Sequence, residues 1–377
     1  MKYTILGPDD PALAVLKQQL VDHPEWDAKL KIVPWADYQG MMNASLAAEH
    51  SSYQAVCVPG HIWLPGLVAD QKLEAFDNLL PDIAEEVIQE YNLADIIPAI
   101  YAESLIGGKQ YLLPLFTDGH LIFYRKDLLD LSHVPDGILD PLSLPELLET
   151  LTLSAGQYPM ALKAHASEIL LDWLPYLWAH GGILMDDNHQ PAFHSSEAIR
   201  ALEFYISLKR FCPPDTHQYG NAEILNILKE GKTAFAVSWG GQAAPILDKS
   251  NNPFRDMIGT ATFTKPWNTT WGVSIPANQP KALKQEMLSV LFTAADKHQD
   301  CEVTRLAGSP VRMSSYSPDE MQRFPWLLAQ YTMLTRRTLL PTSPAFGKYL
   351  GPLYEKVYSA FMGEISAQEA LNQAASI

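Results

Sequence analysis

Residues 111 to 125 read Tyr111-Leu112-Leu113-Pro114-Leu115-Phe116-Thr117-Asp118-Gly119-His120-Leu121-Ile122-Phe123-Tyr124-Arg125. Two extended apolar runs flank a centre, Thr117-Asp118-Gly119, whose residues favour a turn. A long strand of this kind could carry a chain from one lobe to another. What lies on either side differs in kind. Upstream, strands and helices alternate. Strands are predicted at Lys2–Leu6, Lys29–Val33 and Gln54–Val58, and amphipathic helices at Pro11–Leu20 and Tyr38–Ala48. A βαβαβ order of this kind argues a mostly parallel sheet with helices on both faces. Downstream the chain is helix-rich. Leu144–Leu151, Ser167–Ala179, Ser196–Phe211 and Ala222–Glu230 carry the 3.6-residue period, and Ser195 or Ser196 can cap the third. Strands return at Lys232–Ser238, which ends in Trp239-Gly240-Gly241, and at Gly272–Ile275. A helix follows at Ala282–Lys297, and the tail from Pro344 to Ala375 is largely helical, with Gly351-Pro352 and Gly363 as breaks.

The 377 residues are 47% hydrophobic and 19% charged, a globular composition. Single cores stop growing at roughly 250–300 residues, so two domains are expected. No low-complexity or charged tether separates them, so the lobes are joined by strand-like crossings. The net charge of −16 would be repelled by a phosphate backbone, which argues against nucleic acid as a partner. Cys57, Cys212 and Cys301 are sparse and odd in number. They form neither a disulfide scaffold nor a zinc site, and read as buried small apolar residues. No metal or cofactor is expected. No run of about 18 apolar residues occurs that could span a bilayer. A strand-like run begins at Tyr3, so no leader is read. The chain is either cytoplasmic or has lost one.

Several blocks, in order, of which Gly108-Lys109-Gln110-Tyr111 through Leu129 is one, resemble the maltose-binding-like family, the family 1 extracellular solute-binding proteins of ABC importers. They run from Pro34-Trp35-Ala36-Asp37-Tyr38-Gln39 to Ala48, from Gly60-His61-Ile62-Trp63-Leu64-Pro65 to Leu80, and from Gly231-Lys232-Thr233-Ala234-Phe235 to Gly241. Gly308-Ser309-Pro310-Val311-Arg312 and Pro341-Thr342-Ser343-Pro344 to Leu371 also fit. The most specific block is Gly108-Lys109-Gln110-Tyr111 through Leu129. The resemblance implies an α/β, two-lobed periplasmic-binding-protein-like fold with hinge crossings between the lobes. Residues 1–113 plus 265–310 would form the N-terminal lobe, and 114–264 plus 311–377 the C-terminal lobe. It further implies a monomer, periplasmic or at the cell surface, lipid-anchored in some members. Such a protein would close over a small-molecule carbohydrate in the interlobe cleft and dock on the importer's transmembrane subunits. The closing motion would turn on the crossings near 111–125, 260–270 and 308–318.

A sugar site needs aromatic plates for C–H faces and carboxylates or amides for hydroxyls. Asp118 aligns with an acidic ligand contact of the family, with Phe116 and Thr117 on the same crossing. The bland reading is that Asp118-Gly119 is only a turn. Asp9 and Asp10 follow the first strand, where the family places polar contacts, yet an Asp before Pro11 is also a good helix start. Trp63, Trp239, Trp267 and Trp271 are the candidate plates, with core packing favoured for Trp63. Trp35, Trp173, Trp178 and Trp326 read as core. His61 stands where the family often has an acidic sugar contact. Arg312 would pair with a carboxylate ligand or brace the hinge. The family's C-terminal arginine and tryptophan are missing, with Tyr349 and Tyr354 nearby, so maltose itself is not implied. Nucleophile elbows, P-loops and dinucleotide fingerprints are missing. His180-Gly181-Gly182 has no nucleophile near it, and Asp186-Asp187-Asn188-His189 reads as a solvated turn rather than a calcium loop. Two alternatives stay open. One is a binding protein for a polyamine or an acidic or phosphorylated solute. The other is a two-domain carbohydrate-active enzyme with Asp118 as acid or base.

Overall fold

The computed structural model describes residues 2–248 and 250–377, less the side chain of His61. Its strands are β1 (Tyr3–Pro8), β2 (Ala28–Val33), β3 (Ala55–Pro59), β4 (Leu105–Ile106), β5 (Lys109–Gln110), β6 (Leu113–Arg125), β7 (Ile138–Leu139), β8 (Phe235–Trp239), β9 (Ile258–Phe263) and β10 (Asn268–Ser274). The described chain divides into two compact units. Unit 1 holds Met1–Asp118 and Thr269–Glu320, and unit 2 holds Gly119–Asn268 and Met321–Ile377. The chain passes between them inside β6, inside β10, and inside the helix Pro318–Arg323.

In unit 1, β1 runs parallel to both β2 and β3, as the βαβαβ pattern requires. β10 is antiparallel to β3 and lies beside β6. β1 and β3 are almost wholly buried, which explains their unbroken apolar runs. The helices Ala14–Asp22 and Trp35–Ala47 provide the crossovers. Tyr38, fully buried, ties the second of these to the sheet by donating to the Cys57 carbonyl.

In unit 2, β6 is flanked by antiparallel β8 and β9, and β7 adds parallel to β9. The helices Ile169–Ala179, Ser196–Ser207, Gly347–Met362 and Ala367–Ala375 pack together. Trp173, Tyr205 and Phe361, all at 0% exposure, fill the space between them. Ser195 caps its helix by accepting from the Ala198 amide at 3.3 Å, and Ser366 with Glu369 forms a reciprocal capping box.

One expectation is corrected. Thr117-Asp118-Gly119 does not turn: β6 runs unbroken for 13 residues. Gly119 does not take the left-handed conformation a turn would exploit. Within unit 2 it lies so close to the Trp267 carbonyl that a Cβ there would stand at 2.7 Å, and the His120 amide donates to that same carbonyl at 3.0 Å. Strand pairing therefore uses the backbone that an isolated Asp-Gly would have spent on a turn. Cys57 and Cys212 are buried, whereas Cys301 is only partly so. Among the described residues no helix is long and apolar enough to cross a membrane.

Candidate functional site

Unit 1 gathers aromatic residues from four elements. Pro34, extended at ψ 144°, starts the helix Trp35–Ala47, so Trp35 occupies its first position, where no earlier turn can cover it. The helix Gly60–Ala69 begins where β3 ends. Gly60 is needed there, because a Cβ would come within 2.8 Å of the Thr270 carbonyl. That start sets Trp63 one turn along. β10 pairs Trp271 with Pro59, and β6 supplies Phe116. The ring centres of Trp35 lie 5.5 Å from Trp271 and 6.0 Å from Trp63, and Phe116 stacks on Trp271 at 6.0 Å with 7° between planes. Tyr38 stacks beneath Trp63 at 6.1 Å. Trp35 is 52% exposed, while Trp271 is 8% exposed. This corrects the assignment of Trp35 to the core. The helix-starting Pro34 was the available signal.

The polar candidates of unit 1 differ in their surroundings. Asp118 is partly exposed and shares a strand face with Phe116, two residues away. Thr117, fully buried on the other face, donates to the Thr269 carbonyl at 3.2 Å. Asp9 is exposed. Asp10 caps the short helix Pro11–Leu13, accepting from the Ala12 amide at 2.8 Å, and burial raises its pKa while that amide opposes the rise. Arg312 is 1% exposed. Its guanidinium donates to the carbonyls of Tyr91 at 2.8 Å and Ala295 at 2.7 Å and lies over the Tyr91 ring. Both terminal nitrogens are thus held by backbone carbonyls in the interior of unit 1. The His61 side chain lies outside the described residues.

Unit 2 has a second cluster. The β6–β8 register sets His120 opposite Trp239, and the rings stack at 4.7 Å with 10° between planes. Trp267 adds a tilted ring 5.0 Å from Trp239 and 5.8 Å from His120. The bridge Ala161–Ala236 brings in Lys163, whose ammonium sits 3.5 Å from the Trp239 ring centre and 3.1 Å from Glu168. His120 is held well below the usual imidazole pKa, first by burial and then by the Lys163 charge. Neither His120 nor Lys163 was singled out from sequence, because only cross-strand register brings them to Trp239. Trp173, Trp178 and Trp326 are buried. In the 186–189 segment, Asp186 accepts from the amides of Asn188 and Gln190, which is a turn of its own making. Tyr349 is buried and packs edge-on against Phe193.

The family model described as "Bacterial extracellular solute-binding protein" matches residues 14–296. A mannitol-binding protein of Pseudomonas aeruginosa is 29% identical over 207 residues, covering 50% of this chain and 46% of that protein. The match thus spans about half the length of that curated relative. Two solved structures share the fold over nearly every residue. A solute-binding protein of Agrobacterium radiobacter in complex with ribitol superposes with a TM-score of 0.86 at 21% identity, covering 99% of this chain and 96% of that one. Maltose-bound MalE3 of T. maritima superposes with a TM-score of 0.84 at 18% identity, covering 99% and 97%.

Proposed function

The chain belongs to the bacterial extracellular solute-binding proteins, and from that membership we propose that it binds a sugar or sugar alcohol outside the cytoplasm, as a monomer, and passes it unaltered to an ABC-type importer. The observation that carries this reading is the aromatic cluster of unit 1, open to solvent at Trp35. Trp35 is exposed at the edge of a cluster of four further rings, and such an aromatic surface offers a flat plate to the apolar face of a guest. Sugars and polyols offer such faces, with hydroxyls at their edges. Asp118 shares a strand face with Phe116, which supports it as the acceptor for those hydroxyls. The ligands named for the relatives, mannitol, ribitol and maltose, are all neutral polyhydroxyl compounds.

Charge supports a neutral guest over the alternatives. Lys163 already occupies the cation site on the Trp239 face, so a polyamine would meet like charge there. An acidic solute would need Arg312 or a lysine, and both candidates are engaged: the Arg312 guanidinium by carbonyls inside unit 1 and Lys163 by Glu168.

Thermal shift and calorimetric titration with D-mannitol, ribitol and maltose test the proposal. At least one should raise the melting temperature and be recovered chemically unchanged. Trp35→Ala should weaken that ligand at least tenfold with little effect on the ligand-free protein, since the side chain is 52% exposed. Trp173→Ala, at 0% exposure, should instead lose about 3–5 kcal/mol of stability. Indifference of the protein to all three compounds, or wild-type affinity in Trp35→Ala, would remove the basis of the reading.

A further inference from the structure

We infer that His120 is a ligand-contacting residue that selects for hydroxyl groups, its imidazole edge hydrogen-bonding a hydroxyl of the bound polyol or sugar. The inference rests on the function proposed above and adds a residue and a selection rule to it. His120 is 1% exposed, and its Nδ1 and Nε2 are both buried with no hydrogen-bond partner. A buried polar group in that state is costly, and a phenylalanine would fill the same space without the penalty. Trp239 covers one face of the ring, stacking at 4.7 Å, and Trp267 is tilted against the ring at 5.8 Å. A hydrogen bond to the ring is made in its plane, at the rim that carries the two buried nitrogens.

The surroundings also select the kind of partner. Lys163, paired with Glu168, is the charged neighbour in this cluster, and together with burial it keeps the imidazole neutral. A neutral imidazole has one donor and one acceptor nitrogen. A hydroxyl group likewise donates and accepts, so it satisfies either nitrogen. An ammonium ligand would meet the Lys163 charge, and a carboxylate could accept but not donate. The cluster therefore favours neutral hydroxylated guests, and a ligand that has lost the contacting hydroxyl should bind less well.

The test uses the full chain, with D-mannitol, ribitol and maltose as probes. His120→Phe should melt at or above the wild-type temperature without ligand, yet bind the wild type's best probe at least tenfold more weakly. His120→Gln, which keeps a donor and an acceptor, should recover part of that loss. In wild-type protein with 15N-labelled histidine, the His120 ring nitrogens should shift when the probe saturates. Wild-type affinity in His120→Phe would overturn the assignment, because the nitrogens would then serve internal water alone. If His120→Phe fails to fold, unshifted ring nitrogens on saturation overturn it equally. Loss of binding in Trp35→Ala with none in His120→Phe would leave the proposed function standing and this residue discarded. No binding of any probe by wild type would overturn both.

Discussion

Asp172 is 2% exposed inside unit 2, where it accepts from the Tyr205 hydroxyl at 2.7 Å and from the Lys163 amide at 3.3 Å. Burial outweighs both the Tyr205 bond and the Lys163 charge and pushes its carboxyl up to about 6. The folded state therefore holds this proton more tightly than the unfolded chain. Its stabilising contribution is complete below the unfolded value near 4 and is lost as pH rises through about 6. Asp172→Asn should flatten the stability profile between about pH 4 and pH 7, by roughly 1–3 kcal/mol relative to wild type. Urea unfolding of both proteins across that range is the check, and parallel profiles would contradict it. At this scale the sequence shows residue types but not their neighbours. Trp63, Trp267 and Trp271 are visible as aromatic residues near segment ends. That Phe116 stacks on Trp271, or that His120 lies flat on Trp239, depends on register between strands far apart in the chain. Trp35 was misread because Pro34-Trp35-Ala36 is apolar in composition, while its exposure comes from being first in its helix.

Elements set by local chemistry come close to the sequence reading, with one correction: Gly351-Pro352 does not break the tail, because the helix Gly347–Met362 runs through it and ends only at Gly363. The helices Ser196–Ser207 and Ala367–Ala375 each start directly after a capping serine, Ser195 and Ser366. β6 was misread at its centre because its continuity comes from β8, β9 and β10, none of them nearby in sequence. β10 carries the tightest consequence of that pairing. A Cβ on Gly272 would stand 2.2 Å from the Leu113 carbonyl oxygen, 2.8 Å from its carbon and 2.7 Å from the Leu112 side chain. Backbone cannot swing aside as a side chain can. Gly272→Ala should therefore cost about 2–4 kcal/mol through forced separation of β10 from β6. Thermal melting against Gly66→Ala, where a Cβ meets nothing within 4 Å, provides the comparison. Equal melting temperatures would show that β10 can shift without loss.

Across the whole molecule, the division into two units follows discontinuous stretches of chain. Unit 1 needs Thr269–Glu320 as well as Met1–Asp118, and unit 2 needs Met321–Ile377. Two domains were legible from length, and strand-like crossings from the missing tether. A fragment covering residues 1–118 keeps β1, β2 and β3 but lacks β10, which covers the far edge of β3. That fragment should show little protected structure by circular dichroism and amide exchange, whereas adding residues 269–320 in trans should restore part of it. A fully protected 1–118 fragment would show that β10 is dispensable. The pairing of Pro59 with Trp271 also sets a timetable during synthesis. The ribosome releases β3 early but must elongate far beyond it before its neighbour emerges, and contacts so distant in sequence form slowly. For most of translation the nascent polypeptide thus stays unclosed and open to whatever escorts it.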